Sequence, residues 1–188
     1  MNINVGELNM EMLLHICCAP CATYTVRVLR DEGFEPVGYF YNPNIHPFTE
    51  YRRRLETLQQ YAEVVKLDVV YRDEYMLEEF IKQAFEVEDR CQLCYTLRLE
   101  AAARQASDMG IPVYTSTLLI SPYQKHEMIK DIGEGLASDY GVDFHYRDYR
   151  PGYKETYQLC RELELYRQPY CGCIFSEKDR YYRKLVEK

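Results

Sequence analysis

The sequence predicts an α/β protein: an open, mostly parallel five-stranded, Rossmann-like sheet with helices on both faces. Three observations predict it. Short apolar runs of strand length recur along the chain, stretches with helical spacing separate them, and no internal repeat or low-complexity linker interrupts the alternation. Strand–helix–strand units of this kind build parallel sheets. The 188 residues suit one domain, and 47% hydrophobic residues suffice for its core.

The elements follow in order. A polar extension over 1–11 is expected to be loosely ordered, and MLLHI (12–16) reads as a buried strand. A helix follows from Pro20 to Asp31, with Val26, Val28 and Leu29 apolar and Gly33 as its stop signal. EPVGYFYN (35–42) is a second strand. Pro47 opens a long helix to Val64, whose Tyr51, Leu55, Leu58 and Tyr61/Ala62 recur at spacings of three and four. KLDVVY (66–71) is the third strand, followed by helical segments over 74–86 and 92–109, the second closing at Gly110. IPVYTST (111–117) is the fourth strand, a helix covers 124–139, and VDFHY (142–146) is the fifth strand. Helices near 153–165 and 176–187 end a single catalytic domain over 12–188.

No stretch approaches the roughly 20 apolar residues of a membrane span. The start MNINVGELNME lacks the basic and apolar regions of a secretory signal, so a cytoplasmic protein without a membrane partner is expected. The net charge of −7 by itself argues against nucleic acid. Distribution matters more than the total, and Arg52-Arg53-Arg54 and Lys178, Arg180, Arg183 and Lys184 do cluster. Such clusters are more often solvated helix faces.

The eight cysteines carry more weight. Without a secretion signal, a disulfide framework is disfavoured, and the adjacent Cys17 and Cys18 cannot pair without strain. Cys18-Ala-Pro-Cys21 and Cys91-Gln-Leu-Cys94 are CxxC pairs, and Cys171 and Cys173 form a CxC. All fall at strand–helix or loop–helix junctions, where helix N-termini favour thiolates. In open α/β sheets the ligand sits at the carboxyl ends of strands. Seven thiolates exceed the four that one zinc ion uses; they suffice for a four-cysteine cluster plus three ligands to a second metal. A zinc site with spare thiols is the alternative. Cys160, isolated within a helix, reads as a small core residue.

Five segments together resemble the cobalamin-independent epoxyqueuosine reductases (QueH) from about residue 12 to residue 183. They are LLHICCAPC (13–21), YNPNIHPFTEY (41–51), RCQLCYTLRL (90–99), TSTLLISPYQ (115–124) and YCGCIF (170–175). The resemblance implies reduction of epoxyqueuosine at the wobble position of tRNA to queuosine, the last step of queuosine biosynthesis. It also implies a [4Fe–4S] cluster beside a second, mononuclear iron, and a HUP-like sheet similar to that of ATP pyrophosphatases. The first loop reads CCAPC where those proteins carry a serine–glycine phosphate loop, so no ATP is expected, and the resemblance itself implies no cobalamin. The expected partners are the anticodon stem-loop of tRNA and an electron donor protein or reductant.

Turning an epoxide into an alkene takes two electrons and two protons and releases water. Cys17, Cys18, Cys21, Cys91, Cys94, Cys171 and Cys173 are expected to be shared between the two metals, in a division the sequence does not give. Asp89 either completes the iron's shell or caps a helix. His46 is the candidate proton donor, titrating near neutrality, with a structural histidine as the alternative. His15 reads as core. Tyr41, Tyr95 and Tyr123 can donate as phenols, and a few tyrosines can stack on splayed anticodon bases. Asn42, Asn44, Arg98, Ser116, Ser121 and Gln124 are candidates for substrate hydroxyls and phosphates, with a helix-face salt bridge as the alternative for Arg98. Part of the triple arginine is expected to face tRNA phosphates. Two other readings compete: a zinc-stabilised RNA-binding module, and an iron–sulfur enzyme of tRNA thiolation or desulfidation. The second would favour a three-cysteine cluster and an ATP loop.

Overall fold

In a computed structural model that describes residues 10–182, five strands and seven α-helices alternate along the chain. They are β1 (Met10–His15), α1 (Ala19–Asp31), β2 (Phe34–Phe40), α2 (Phe48–Val65), β3 (Val69–Tyr71), α3 (Leu77–Glu86), α4 (Arg90–Met109), β4 (Val113–Ser116), α5 (His126–Tyr140), β5 (Asp143–Phe144), α6 (Glu155–Glu162) and α7 (Ile174–Tyr181). Short 3-10 turns cover Thr117–Ile120 and Arg150–Gly152.

All four strand pairings are parallel, in the order β3-β2-β1-β4-β5. β1 lies at the centre, with Leu13 opposite both Val37 and Tyr114. Its Met12, Leu13 and Leu14, and Ile16 beyond it, are fully buried, as expected of a strand covered on both faces. Helix α1 packs against α2 and α6, and α4 against α3 and α5, giving two helical layers. The chain builds outward from β1 to β3, then crosses to the other side of β1 to add β4 and β5. That reversal opens a crevice between the carboxyl ends of β1 and β4, where open α/β sheets bind ligands.

The expected strands are all present, with shifted ends. Met10 and Glu11, expected in the loose extension, pair with Phe34 and Glu35 as the start of β1; residues 1–9 lie outside the described residues. The third strand shrinks because Lys66 takes a left-handed conformation (φ 52) and the Leu67 N–H bonds the Ala62 carbonyl, so both belong to the end of α2. The fifth is an edge strand that pairs only at Asp143 and Phe144. α4 ends at Gly110 (φ 69), as expected. α7 begins at Ile174, and residues 183–187 of the expected last helix lie outside the described residues.

Candidate metal centre

The first cysteine group stands just past the carboxyl end of β1, beside the turn that follows β4. The chain leaves β1 at His15, and Cys18 becomes the N-cap of α1, with Pro20 in the first turn. The Cys17 N–H donates to Thr117 Oγ1 at 3.1 Å, tying this loop to the one after β4. The Cys17 and Cys18 Sγ atoms are 3.7 Å apart, those of Cys18 and Cys21 3.3 Å, and all three lie within 4.8 Å of one another. A single tetrahedral ion with metal–sulfur bonds of about 2.3 Å has sulfur–sulfur edges of about 3.8 Å. The trio therefore fits one mononuclear ion. Gln168 Nε2 donates to Cys18 Sγ at 3.3 Å. Hydrogen bonding with the Cys17 and Cys21 thiols holds the Cys18 pKa well below the ordinary thiol value, with Arg54 and Gln168 assisting against burial.

The second group gathers on the α3–α4 side. Cys91 sits in the first turn of α4 and Cys94 one turn on, while Cys171 and Cys173 lead into α7, with Cys173 as its N-cap. Cys94 packs with Phe80 and Ala84, and Cys173 and Phe175 lie against them. Burial pushes the Cys94 thiol up to about 12; the neighbouring Cys171, Cys173 and Cys91 add to the rise and Arg98 opposes it. Cys91, Cys171 and Cys173 all lie near enough to act on the charge of Cys94, and four cysteines are the number a [4Fe–4S] cluster takes. Arg98, 3% exposed, bridges the two groups: Nη2 donates to Cys94 Sγ and Nε to the Cys94 carbonyl, both at 3.0 Å, and its charge also acts on Cys17 and Cys171.

A buried ion pair holds the CxC loop in place. Arg54, 1% exposed, donates from Nε to Glu50 Oε1 at 2.6 Å. Its two other nitrogens donate to the carbonyls of Cys171 (3.0 Å) and Tyr170 (3.2 Å). Tyr166 Oη donates to the second Glu50 oxygen at 2.7 Å, and the His46 N–H donates to the Gly172 carbonyl at 2.8 Å. Gly172 has φ +105, and a Cβ there would stand 2.8 Å from Arg54 Nη1, so only glycine fits.

Several expectations are corrected. Helix N-termini do not lower the thiols as a class: among the cysteines with a resolved shift only Cys18 is lowered. Cys91, Cys94 and Cys173 are raised, with burial as the chief cause, and Cys17 and Cys21 are raised first by hydrogen bonding among the three thiols. His46 does not titrate near neutrality, because burial against Tyr75 and Phe80 lowers its pKa to about 4. Both its ring nitrogens lack a partner. Asp89 takes the helix-cap alternative: Oδ1 accepts from the Cys91 and Gln92 N–H groups and Oδ2 pairs with Lys125 Nζ at 2.6 Å. Arg98 faces the thiols rather than solvent or a salt bridge. Ser116 is fully buried, its hydroxyl already bonded to His15 Nδ1 and the Leu118 N–H. The triple arginine is not a free basic run, since Arg52 pairs with Glu56 and Asp73, Arg53 lies over the Tyr166 ring and Arg54 is interior.

The other candidates are placed as follows. Asn42 and Asn44 are each 1% exposed and carry a side-chain oxygen without a partner, while Asn42 Nδ2 donates to the Ile16 carbonyl. Tyr95 Oη donates to Gln124 Oε1 at 2.6 Å; Ser121 Oγ accepts from the Tyr123 N–H; Tyr41 Oη reaches Met76 Sδ; Tyr123 is 82% exposed. His15 and Cys160 are buried in the core, as expected. Sequence reading missed Glu50 and Arg54 as an anchor, although their i,i+4 spacing was a signal. It also missed Thr117 and Gln168, which no pattern marks.

Comparison with known proteins gives this geometry a context. The sequence model of the family "Epoxyqueuosine reductase QueH" matches residues 12–179. The chain belongs to that family. A QueH protein of Dehalococcoides mccartyi is 38% identical over 172 residues, covering 91% of this chain and 94% of its own length. One of Thermotoga maritima is 39% identical, covering 90% and 91%, and one of Streptococcus pyogenes 34%, covering 89% and 71%. All three are named epoxyqueuosine reductase. Among solved structures, the U34-tRNA thiolase NcsA of Methanococcus maripaludis with its [4Fe–4S] cluster aligns with TM-score 0.58 at 14% identity, covering 86% of this chain and 59% of its own. A predicted tRNA methyltransferase subunit of Methanocaldococcus jannaschii aligns with TM-score 0.53 at 16% identity, covering 81% and 75%. At such identities the likeness is one of fold alone, that of an open parallel sheet covered by helices. No helix among the described residues is long and apolar enough to cross a membrane.

Proposed function

We propose that this chain is an epoxyqueuosine reductase acting on tRNA. In this reading Cys91, Cys94, Cys171 and Cys173 hold a [4Fe–4S] cluster, and Cys17, Cys18 and Cys21 hold a second, mononuclear iron. The observation that carries it is the division of seven cysteines into a tight trio and a separate foursome at one end of the sheet, in a chain of the QueH family. When bound, the cluster supplies single-electron transfer and the second iron a Lewis acid for an epoxide oxygen.

The protein's own groups set the conditions for that chemistry. Arg98 and Arg54 place buried guanidiniums against the thiols, offsetting the repulsion of several thiolates in a low-dielectric site. Thr117 fixes the backbone of Cys17, and Gln168 orients the Cys18 sulfur. The unpartnered oxygens of Asn42 and Asn44 accept from substrate hydroxyls, which accounts for two buried polar atoms otherwise left without a bond. Burial keeps His46 neutral at pH 7, so it does not act as an imidazolium donor, and the two protons of the reduction come from solvent. Electrons come from an external donor protein or reductant. A foursome of cysteines leaves no open iron for sulfur, which separates this reading from a thiolase. A zinc-stabilised binding module has no use for the second group.

Iron, acid-labile sulfide and zinc per chain, measured after anaerobic reconstitution of wild type and single Cys→Ala variants, test the division. Alanine at Cys91, Cys94, Cys171 or Cys173 is expected to deplete sulfide and visible absorption. Alanine at Cys17, Cys18 or Cys21 is expected to keep about four sulfides, as for an intact cluster, while losing the extra iron. Colourless wild type with zinc and no sulfide would contradict the proposal.

A further inference from the structure

We infer that Tyr123, Tyr153, Tyr157 and Arg167 form a stacking platform for unpaired anticodon-loop bases beside the cysteine groups; the inference rests on the tRNA-reductase reading above. The four side chains come from separate segments: the turn after β4, the region entering α6, α6 itself and the loop that follows it. The Tyr123 and Tyr153 rings meet edge to face with centroids 6.0 Å apart, and those of Tyr153 and Tyr157 at 5.6 Å. The Arg167 guanidinium lies 3.0 Å from the Tyr157 centroid and 5.6 Å from that of Tyr153.

Core packing explains Tyr153, which lies against the main core, but not the exposed Tyr123 and Tyr157. Tyr123 is 82% exposed, so its ring stands in water, and Tyr157, 44% exposed, carries Arg167 over its ring. Among the described residues Arg167 makes no ion pair, so its charge is held on the rings and remains available to a phosphate. Exposed aromatic faces flanked by an arginine are how proteins hold splayed single-stranded bases, since every base offers a π-face.

Position ties the ladder to the site. Gln168, next to Arg167, donates to Cys18 Sγ at 3.3 Å. Gln124, next to Tyr123, accepts from the Tyr95 hydroxyl at 2.6 Å, and Tyr95 follows Cys94. The platform is thus joined at Arg167, through Gln168, to the first cysteine group, and at Tyr123, through Gln124 and Tyr95, to the helix that carries Cys94. The platform also answers how a chain of net charge −7 holds an RNA: affinity comes from local stacking and one placed cation, not from a broad basic field.

The test uses anaerobically reconstituted holoprotein and the fluorescence anisotropy of a labelled anticodon stem-loop RNA and of a blunt RNA duplex of equal length. Reduction of epoxyqueuosine tRNA by the wild type is followed in parallel. Tyr123→Ala is expected to weaken stem-loop binding about 5- to 100-fold, the loss of one base stack, with Arg167→Ala weakening it as well. Tyr123→Phe, which keeps the ring, is expected to retain most of the affinity. Duplex binding is expected to be alike in all. If Tyr123→Ala and Arg167→Ala bind the stem-loop as the wild type does while the wild type reduces tRNA, the platform is wrong and the reductase reading stands. Tyr123→Phe as weak as Tyr123→Ala would replace stacking with a role for the hydroxyl. A wild type that neither binds nor reduces tRNA overturns both.

Discussion

Replacing Arg54 by methionine keeps a straight chain of similar length and removes the guanidinium that joins α2 to the CxC loop. Glu50, 8% exposed, is then left as a buried carboxylate without its counter-charge. Deleting one partner of such a pair costs about 3–5 kcal/mol. The carbonyls of Tyr170 and Cys171 also lose a donor, although Cys171 is exposed and water can replace part of that bond. For a chain of this size each kcal/mol shifts Tm by roughly 2–4 °C, so metal-free Arg54→Met is expected to melt about 6–20 °C below wild type. Glu50→Gln with Arg54→Met removes the stranded charge and should recover most of the loss, because replacing both partners of a buried pair is often nearly neutral. Thermal unfolding followed by circular dichroism under argon reads both. A single variant melting within about 3 °C of wild type, or a double variant no better than the single, would refute the argument that this pair anchors the loop.

Three further outcomes follow from the same geometry. Gly172→Ala forces a Cβ against Arg54 at a φ of +105, and should lower reconstituted sulfide well below wild type while sparing the iron proposed for Cys17, Cys18 and Cys21; full sulfide content would count against the loop geometry. His46 has its folded pKa lowered from 6.5 to about 4, so the unfolded chain binds the proton more readily, and stability falls by about 3 kcal/mol as pH drops through that window. His46→Phe should remove that share of the acid sensitivity in denaturant titrations from pH 7 to pH 4, and an unchanged profile would contradict the assignment. Arg98→Gln withdraws a charged donor from Cys94 Sγ, and a spectroelectrochemical titration should find the cluster harder to reduce, with Arg98→Lys closer to wild type; an unmoved potential would deny Arg98 its electrostatic role.

The sheet was legible because strands buried on both faces read as unbroken apolar runs, Met12–Leu14 above all. The placement of the cysteines at helix starts was legible, and Cys18, Cys91 and Cys173 do stand at the starts of α1, α4 and α7. Their division was not, since the Sγ separations of Cys17, Cys18 and Cys21 exist only once α1 starts at Cys18. Arg54 was hidden inside a basic run whose three members point to an ion-pair network, an aromatic ring and the interior. His46 was read by its solution pKa, which burial overrides. Tyr153 and Tyr157 stand at the i,i+4 spacing that a helix brings onto one face, but only the folded chain adds Tyr123 and Arg167 to them.

The central claim is tested most directly by incubating the reconstituted protein with tRNA carrying epoxyqueuosine and a chemical reductant under anaerobic conditions, then digesting the tRNA and weighing its nucleosides. The account predicts loss of one oxygen atom and appearance of queuosine, dependent on both cysteine groups. Unchanged epoxyqueuosine in the presence of fully loaded, reduced protein would contradict it.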